Sequence, residues 1–283
     1  MNAYAWRPVG NIDPRELGEA RHLAHNGAQW LARIARSYVE PDTNDAHTSL
    51  SWENDGDALV TQEIAPGLVL ELRVPELTLQ FKEGGERVTY PLEMDDVSPA
   101  KVEAWLLVEL LHRGVNRDRL AKDLPYKIPG LMTGDAVEYS AAPAKDELEE
   151  LSHWYANAAS VLAQVRDKHA PPETKPSPIR LWPHHGNMEI VFHREGNENE
   201  PAVRVGLVPG DGHYGEPYFH VTPASPPETQ ELPDIPEIGH WHTKDFVAAI
   251  LTGSQIVENK MTGDDVARFL GAAISADQAR TGS

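Results

Sequence analysis

Seven of the 13 histidines in this chain fall between residues 184 and 242: His184, His185, His193, His213, His220, His240 and His242. Six of them, all but His193, cluster in three short motifs. The first is Leu181-Trp182-Pro183-His184-His185. The second runs from Pro209 to His220 and holds Asp211, His213, Tyr214, Glu216 and Tyr218. The third is Gly239-His240-Trp241-His242-Thr243. Imidazole beside carboxylate suits proton transfer near neutral pH or ligation of a divalent metal such as zinc. In an extended segment His240 and His242 point one way and Trp241 the other, because side chains alternate along a strand. His184, His185, Asp211 and Glu216 are therefore candidate catalytic groups, and His240, His242 and His184 are candidate metal ligands. Trp182, Tyr214, Tyr218, Phe219 and Trp241 supply aromatic area for a small-molecule pocket. Two readings stand side by side. One is a small-molecule-binding or enzymatic pocket in the C-terminal half, with or without a metal. The other is a non-catalytic structural or protein-interaction role, with the same side chains filling a core or interface. No H-E-x-x-H zinc signature and no G-x-S-x-G serine elbow is present. Gly210-Asp211-Gly212 lacks a phosphate-loop pattern and reads as a tight turn. Thr243 reads as the N-cap of a helix carrying Phe246, Val247, Ile250 and Leu251, whose N-terminal dipole would lower the nearby imidazole pKa values.

Composition narrows the partners. The 283 residues carry 25 Lys and Arg against 44 Asp and Glu, a net charge of −19, and no cysteine. The acidity is even: residues 1–142 are net −9 and residues 143–283 net −10. A surface of this sign repels nucleic-acid phosphate and anionic membranes, so neither is expected as a partner. Without thiols there is no disulfide framework, thiolate metal site or cysteine nucleophile. Met1 to Gly10 has one arginine and no apolar run, which reads as neither a secretory signal nor a transit peptide. No stretch has the 18 or so apolar residues of a membrane span. The expected location is the cytoplasm of a bacterium-like cell.

Several elements are marked by their caps and periodicity. Asp13, Pro14 and Glu16 predict the N-terminus of a helix, with Leu17, Leu23, Leu31 and Ile34 recurring at helical spacing to Pro41. Strands are predicted at 47–53, 57–64 and 67–74, then through Leu77, Leu79 and Phe81 and through Val88, Tyr90 and Leu92, forming an antiparallel meander. Ser98-Pro99 opens a second helix carrying Val102, Leu106 and Leu110. After a loop-rich connector a helix is predicted at about 145–169. Strands follow at 178–183, 187–194 and 202–208, and a last helix is capped by Thr262 and Asp265.

At an offset of 130 residues Trp52 meets Trp182, Gly56 meets Gly186 and Pro41 meets Pro171. This leaves internal duplication open beside chance likeness of short α/β patterns. The expected fold is α+β: two similar helix-plus-antiparallel-sheet halves packed as one unit. The expected boundaries are an N-terminal half at 1–115, a connector at 116–143 and a C-terminal half at 144–283. The C-terminal half carries an extra proline- and histidine-rich stretch at about 209–243, and insertions on a scaffold are where function tends to be placed.

The three histidine motifs, with Ala28-Gln29-Trp30-Leu31, His47-Thr48 and Leu124-Pro125-Tyr126, resemble an uncharacterised bacterial family, the domain of unknown function numbered 5996. The resemblance covers most of the chain. Members often carry Phe-Asp after the paired histidines, where this chain has Gly186-Asn187. The resemblance implies one conserved architecture and no particular activity, cofactor or catalytic residue.

Overall fold

The computed structural model describes residues 5–88, 90–171, 173–194, 203–225 and 232–281. Residues 1–4 at the N-terminus, residue 202 at the head of the expected strand 202–208, and 226–231 within the stretch 209–243 lie outside the described residues. The fold is α+β, with helices and two antiparallel sheets. No helix among the described residues is long and apolar enough to cross a membrane.

The chain divides into two compact units. The N-terminal unit comprises residues 17–152 and 181–186; the C-terminal unit comprises residues 1–16, 153–180 and 187–283. The connector 116–143 thus belongs with the N-terminal unit, and the turn holding His184 and His185 returns to it.

In the N-terminal unit, helix α1 (Gly18–Tyr38) buries Leu23, Ala28, Leu31 and Ile34. Its start differs from the expected one. Pro14–Glu16 forms a 3-10 turn, because the Asp13 carboxylate accepts from the Arg15 backbone N–H and guanidinium and does not cap α1. Strands β1 (Ser51–Glu53), β2 (Ala58–Val60), β3 (Leu68–Arg73) and β4 (Thr78–Glu83) make the first four strands of the expected meander. In place of the fifth, expected through Val88, Tyr90 and Leu92, two short strands β5 (Glu86–Arg87) and β6 (Leu92–Glu93) each pair with β4, and Tyr90 between them is exposed with a positive φ of 67°. The first strand begins later than residue 47, since the Thr48 and Ser49 hydroxyls donate to the Asp45 and Ala46 carbonyls and hold a 3-10 turn. Leu59, Leu72 and Leu79 lie in one cross-strand row, and Gly27 brings the α1 backbone against Leu72. Helix α2 (Pro99–His112) starts as predicted: the Ser98 hydroxyl accepts from the Lys101 N–H.

Helix α3 (Lys145–His169) gives its first turns to the N-terminal unit and its remainder to the C-terminal unit. Strands β7 (Thr174–Pro176) and β8 (Arg180–Trp182) follow, and Leu181 exchanges both backbone hydrogen bonds with Leu50, at 2.9 and 2.8 Å. The C-terminal sheet contains β9 (Asn187–Arg194), β10 (Val203–Val208), β11 (Tyr218–Thr222), β12 (His240–His242) and β13 (Ala248–Thr252), in the order β12-β13-β11-β10-β9-β7. One face is apolar: Ile190, Val205, Leu207, Phe219, Val221 and Leu251 are fully buried. Helices α4 (Gly253–Glu258) and α5 (Gly263–Thr281) complete this unit, and the expected Thr262–Asp265 capping box is present, with both Thr262 donors on one Asp265 oxygen.

A further expectation is corrected. Thr243 caps no helix, and residues 248–252 are strand β13, paired on both edges. All five residues of β13 are buried, and Ala248 to Leu251 form an apolar run, which periodicity alone does not separate from a buried helix.

Candidate functional site

Directly paired residues of an antiparallel sheet share a face. The register of the C-terminal sheet therefore aligns Glu189, Gly206, His220, Ile250 and His240 in one row across β9, β10, β11, β13 and β12. This row lies on the face opposite the apolar one and is where the polar groups gather. Gly206 is needed there: a Cβ at this position would stand 2.5 Å from the Met188 carbonyl oxygen, 2.7 Å from Glu189 Cγ and 2.9 Å from His220 Nε2. Without it, Glu189 and His220 approach across β10, with His220 Nε2 3.5 Å from Glu189 Oε1. Burial raises the Glu189 pKa, but His220, Arg204 and the Asn187 amide outweigh it and hold the carboxyl below its ordinary value.

The outer end of the row is built around Tyr214. The turn before it is set by Asp211. Its Oδ1 accepts from the backbone N–H of His213 (2.8 Å) and Tyr214 (2.9 Å), its Oδ2 accepts from the Tyr218 hydroxyl (2.8 Å), and Gly210 takes the positive φ of 124° that the turn requires. Burial and the Asp211 carboxylate together push the Tyr218 phenol well above its usual range. Tyr214 is thereby aimed at β12, where its Oη lies 2.9 Å from His240 Nε2 and 2.9 Å from His242 Nδ1. The strand places both imidazoles on one side of β12. Trp241 makes a separate bond, donating from Nε1 to the Pro233 carbonyl at 2.8 Å. Phe246 stacks on His242 with ring centres 4.1 Å apart and meets His213 edge-on at 5.1 Å.

The hydrogen-bond pattern assigns the protons. His242 Nε2 lies 2.5 Å from the Lys244 carbonyl oxygen, which only accepts, so Nε2 carries the hydrogen. Neutral His242 then has a bare Nδ1, and Tyr214 donates to it. With its one proton committed, the Tyr214 oxygen accepts from His240 Nε2–H. The result is a directed chain: His240 Nε2–H to Tyr214 Oη–H to His242 Nδ1, and His242 Nε2–H to Lys244. The His240 Nδ1 is left bare at the surface, where the residue is exposed. Partial burial of the ring, and secondly the neighbouring His242, lower the His240 pKa. The cause is not the helix dipole expected from Thr243, since β13 stands there.

The six predicted site residues are divided between the units. Asp211, His240 and His242 belong to the Tyr214 cluster. Glu216 belongs to the same unit but serves the start of α4, where its Oε2 accepts from Ser254 N–H at 2.5 Å and Ser254 Oγ–H at 2.6 Å. His184 and His185 belong to the N-terminal unit. Their rings lie 4.2 Å apart, with Tyr126 5.5 Å from His184. The Pro183 carbonyl of that turn accepts from His25 Nε2–H (2.7 Å) and Gln29 Nε2–H (2.8 Å). Among the described residues, no group of three or more His, Cys, Asp or Glu side chains is placed to hold a metal ion. Sequence reasoning read Tyr214 only as aromatic area and did not find the Glu189–His220 pair; glycine opposite two polar residues in flanking strands was the available signal.

No family model, curated protein or solved structure matches this chain, so the chemistry of the site rests on the geometry above.

Proposed function

We propose that the C-terminal sheet face is a small-molecule acid–base site in which His240 Nδ1 takes a proton from a bound ligand and the Tyr214–His242 chain holds the imidazole in the tautomer that does so. The observation that carries this reading is the convergence of two imidazoles on one phenol oxygen at 2.9 Å each, with the far nitrogen of His240 open. A general base must be unprotonated at its working pH and must present a lone pair to the substrate. The lowered His240 pKa supplies the first condition and the fixed Nε2–H supplies the second. Asp211 and Glu216 act structurally, on the Tyr214 turn and on α4. We also read the chain as a member of the domain-of-unknown-function family that its motifs resemble, which adds no activity to this account.

Hydrolysis of p-nitrophenyl acetate, an ester activated enough to report a poised imidazole, tests the reading. The expected result is a rate that reaches its plateau below the pH at which ordinary histidine deprotonates and falls about tenfold or more in His240→Gln. Equal rates for the wild-type chain and His240→Gln would contradict it.

A further inference from the structure

The N-terminal unit holds a cleft of about 980 Å³ between α1, α2 and the segment 120–134. That volume is on the scale of small-molecule sites, roughly 300–1,000 Å³. None of the three histidine motifs lines it, whereas Gln29, Trp30, Leu124 and Tyr126 do.

The cleft is held open by α1. Asn26, Gln29, Arg33 and Ser37 lie on one stripe of the helix, and all four are committed to partners from the connector. Met132 N–H donates to Asn26 Oδ1 (2.8 Å), the Tyr126 hydroxyl to Gln29 Oε1 (3.0 Å), Arg33 Nε–H to the Ala121 carbonyl (3.0 Å) and Ala121 N–H to Ser37 Oγ (2.8 Å). Residues 120–141 contain no helix or strand. Loops of more than about 12–15 such residues in compact domains are usually functional or disordered, and this one is pinned by buried side chains. On the facing helix, Pro99, Ala100 and Ala104 are small, which leaves the space between the walls.

Arg33 gives the cleft its chemistry. Its side chain is only 11% exposed, and its guanidinium lies over the Trp30 ring at 4.7 Å. Both terminal nitrogens share one oxygen of Glu103, at 3.2 Å each, and Glu103 is 42% exposed. Charge-assisted pairs normally close to about 2.7–2.9 Å and use both carboxylate oxygens. Of its five N–H bonds, three are used, so two have no partner among the described residues. Lys122 and Lys127 also line the cleft, against Asp123 and Glu103, so the lining is net positive in a chain of net charge −19. Leu107, Ile128 and Leu131 make much of the remaining wall apolar.

We propose that this cleft binds a small organic monocarboxylate, with its anionic head on the Arg33 fork and its apolar body over Trp30 and Leu107. Three cations (Arg33, Lys122, Lys127) against two carboxylates (Glu103, Asp123) leave the lining one positive charge, which fits one negative charge; a dianionic phosphate would leave its second charge uncompensated. The test uses the full chain, with phenylbutyrate and its neutral analogue phenylbutanol as probes, followed by calorimetry. The acid should bind about tenfold or more tightly than the alcohol, the size expected of a charged hydrogen-bonded head. Arg33→Gln should erase that difference. Because Arg33 also holds the Ala121 carbonyl, Ala104→Phe serves as a second variant; it should narrow the cleft and weaken binding of the acid while circular dichroism stays unchanged. Absence of binding by the acid, equal affinity for acid and alcohol, or undiminished binding in folded Ala104→Phe would each overturn the proposal.

Discussion

Tyr214 and Arg33 each gather polar partners near the surface, and they do it by opposite means. The Tyr214 cluster is built on a sheet. Its residues come from neighbouring strands and a turn, and the register places them at fixed spacing. The Arg33 cleft is built by a helix that reaches out to a long loop, so its partners are mostly backbone groups of residues remote in sequence. A sheet site fails through backbone geometry. A helix–loop site fails through loss of a buried hydrogen bond. The difference can be tested by substitution in each region.

The largest effect is expected at Gly206. Gly206→Ala puts a Cβ against the Met188 carbonyl, which is backbone and cannot retreat without parting the sheet, and against the Glu189 and His220 side chains, whose pairing it would push apart. A loss of about 3 kcal/mol in urea unfolding is expected, at the upper end for overpacking. Gly212→Ala, which meets nothing within 4 Å, should stay within about 0.5 kcal/mol of wild type. Next comes Gln29→Leu, on the helix–loop side. It leaves the Tyr126 hydroxyl and one bond of the buried Pro183 carbonyl unmade, and should cost about 2 kcal/mol. Tyr214→Phe should cost only about 1 kcal/mol, because its partners reach solvent. Its signature is the uncoupling of His240 from His242 in an NMR titration.

These asymmetries also explain what could be read in advance. The Ser98 and Thr262–Asp265 caps and the common orientation of His240 and His242 follow from local rules, and the structure shows each of them. Ala248–Thr252 was not legible as a strand, since burial on both faces erases the alternation. Asp13 found a nearer partner in Arg15 than the helix it was expected to cap. The α1 stripe of Asn26, Gln29, Arg33 and Ser37 has helical spacing, but its apolar neighbours dominate the pattern, and the loop atoms it binds are nearly 100 residues away. Of the candidate site, the imidazole pair was visible. The phenol that joins it was visible only as aromatic area.

A smaller effect separates the two regions by pH. Burial is the main cause of the lowered pKa of both His25, beside Pro183, and His240. A depressed group binds protons more readily when unfolded, so each contributes stability that is present above pH 6.5 and is lost as pH falls through the folded value. The Glu189 carboxyl, also depressed, extends the loss below pH 4.5. In urea unfolding at a series of pH values, His25→Gln should flatten the decline below pH 6.5 more than His240→Gln, because His25 is the more enclosed ring.

The most direct test of the Tyr214 account is a long-range proton–nitrogen NMR spectrum of the imidazoles at neutral pH. The directed chain predicts that His240 and His242 both carry their hydrogen on Nε2 and leave Nδ1 bare. Hydrogen on Nδ1 of His242, or a doubly protonated His240, would contradict it.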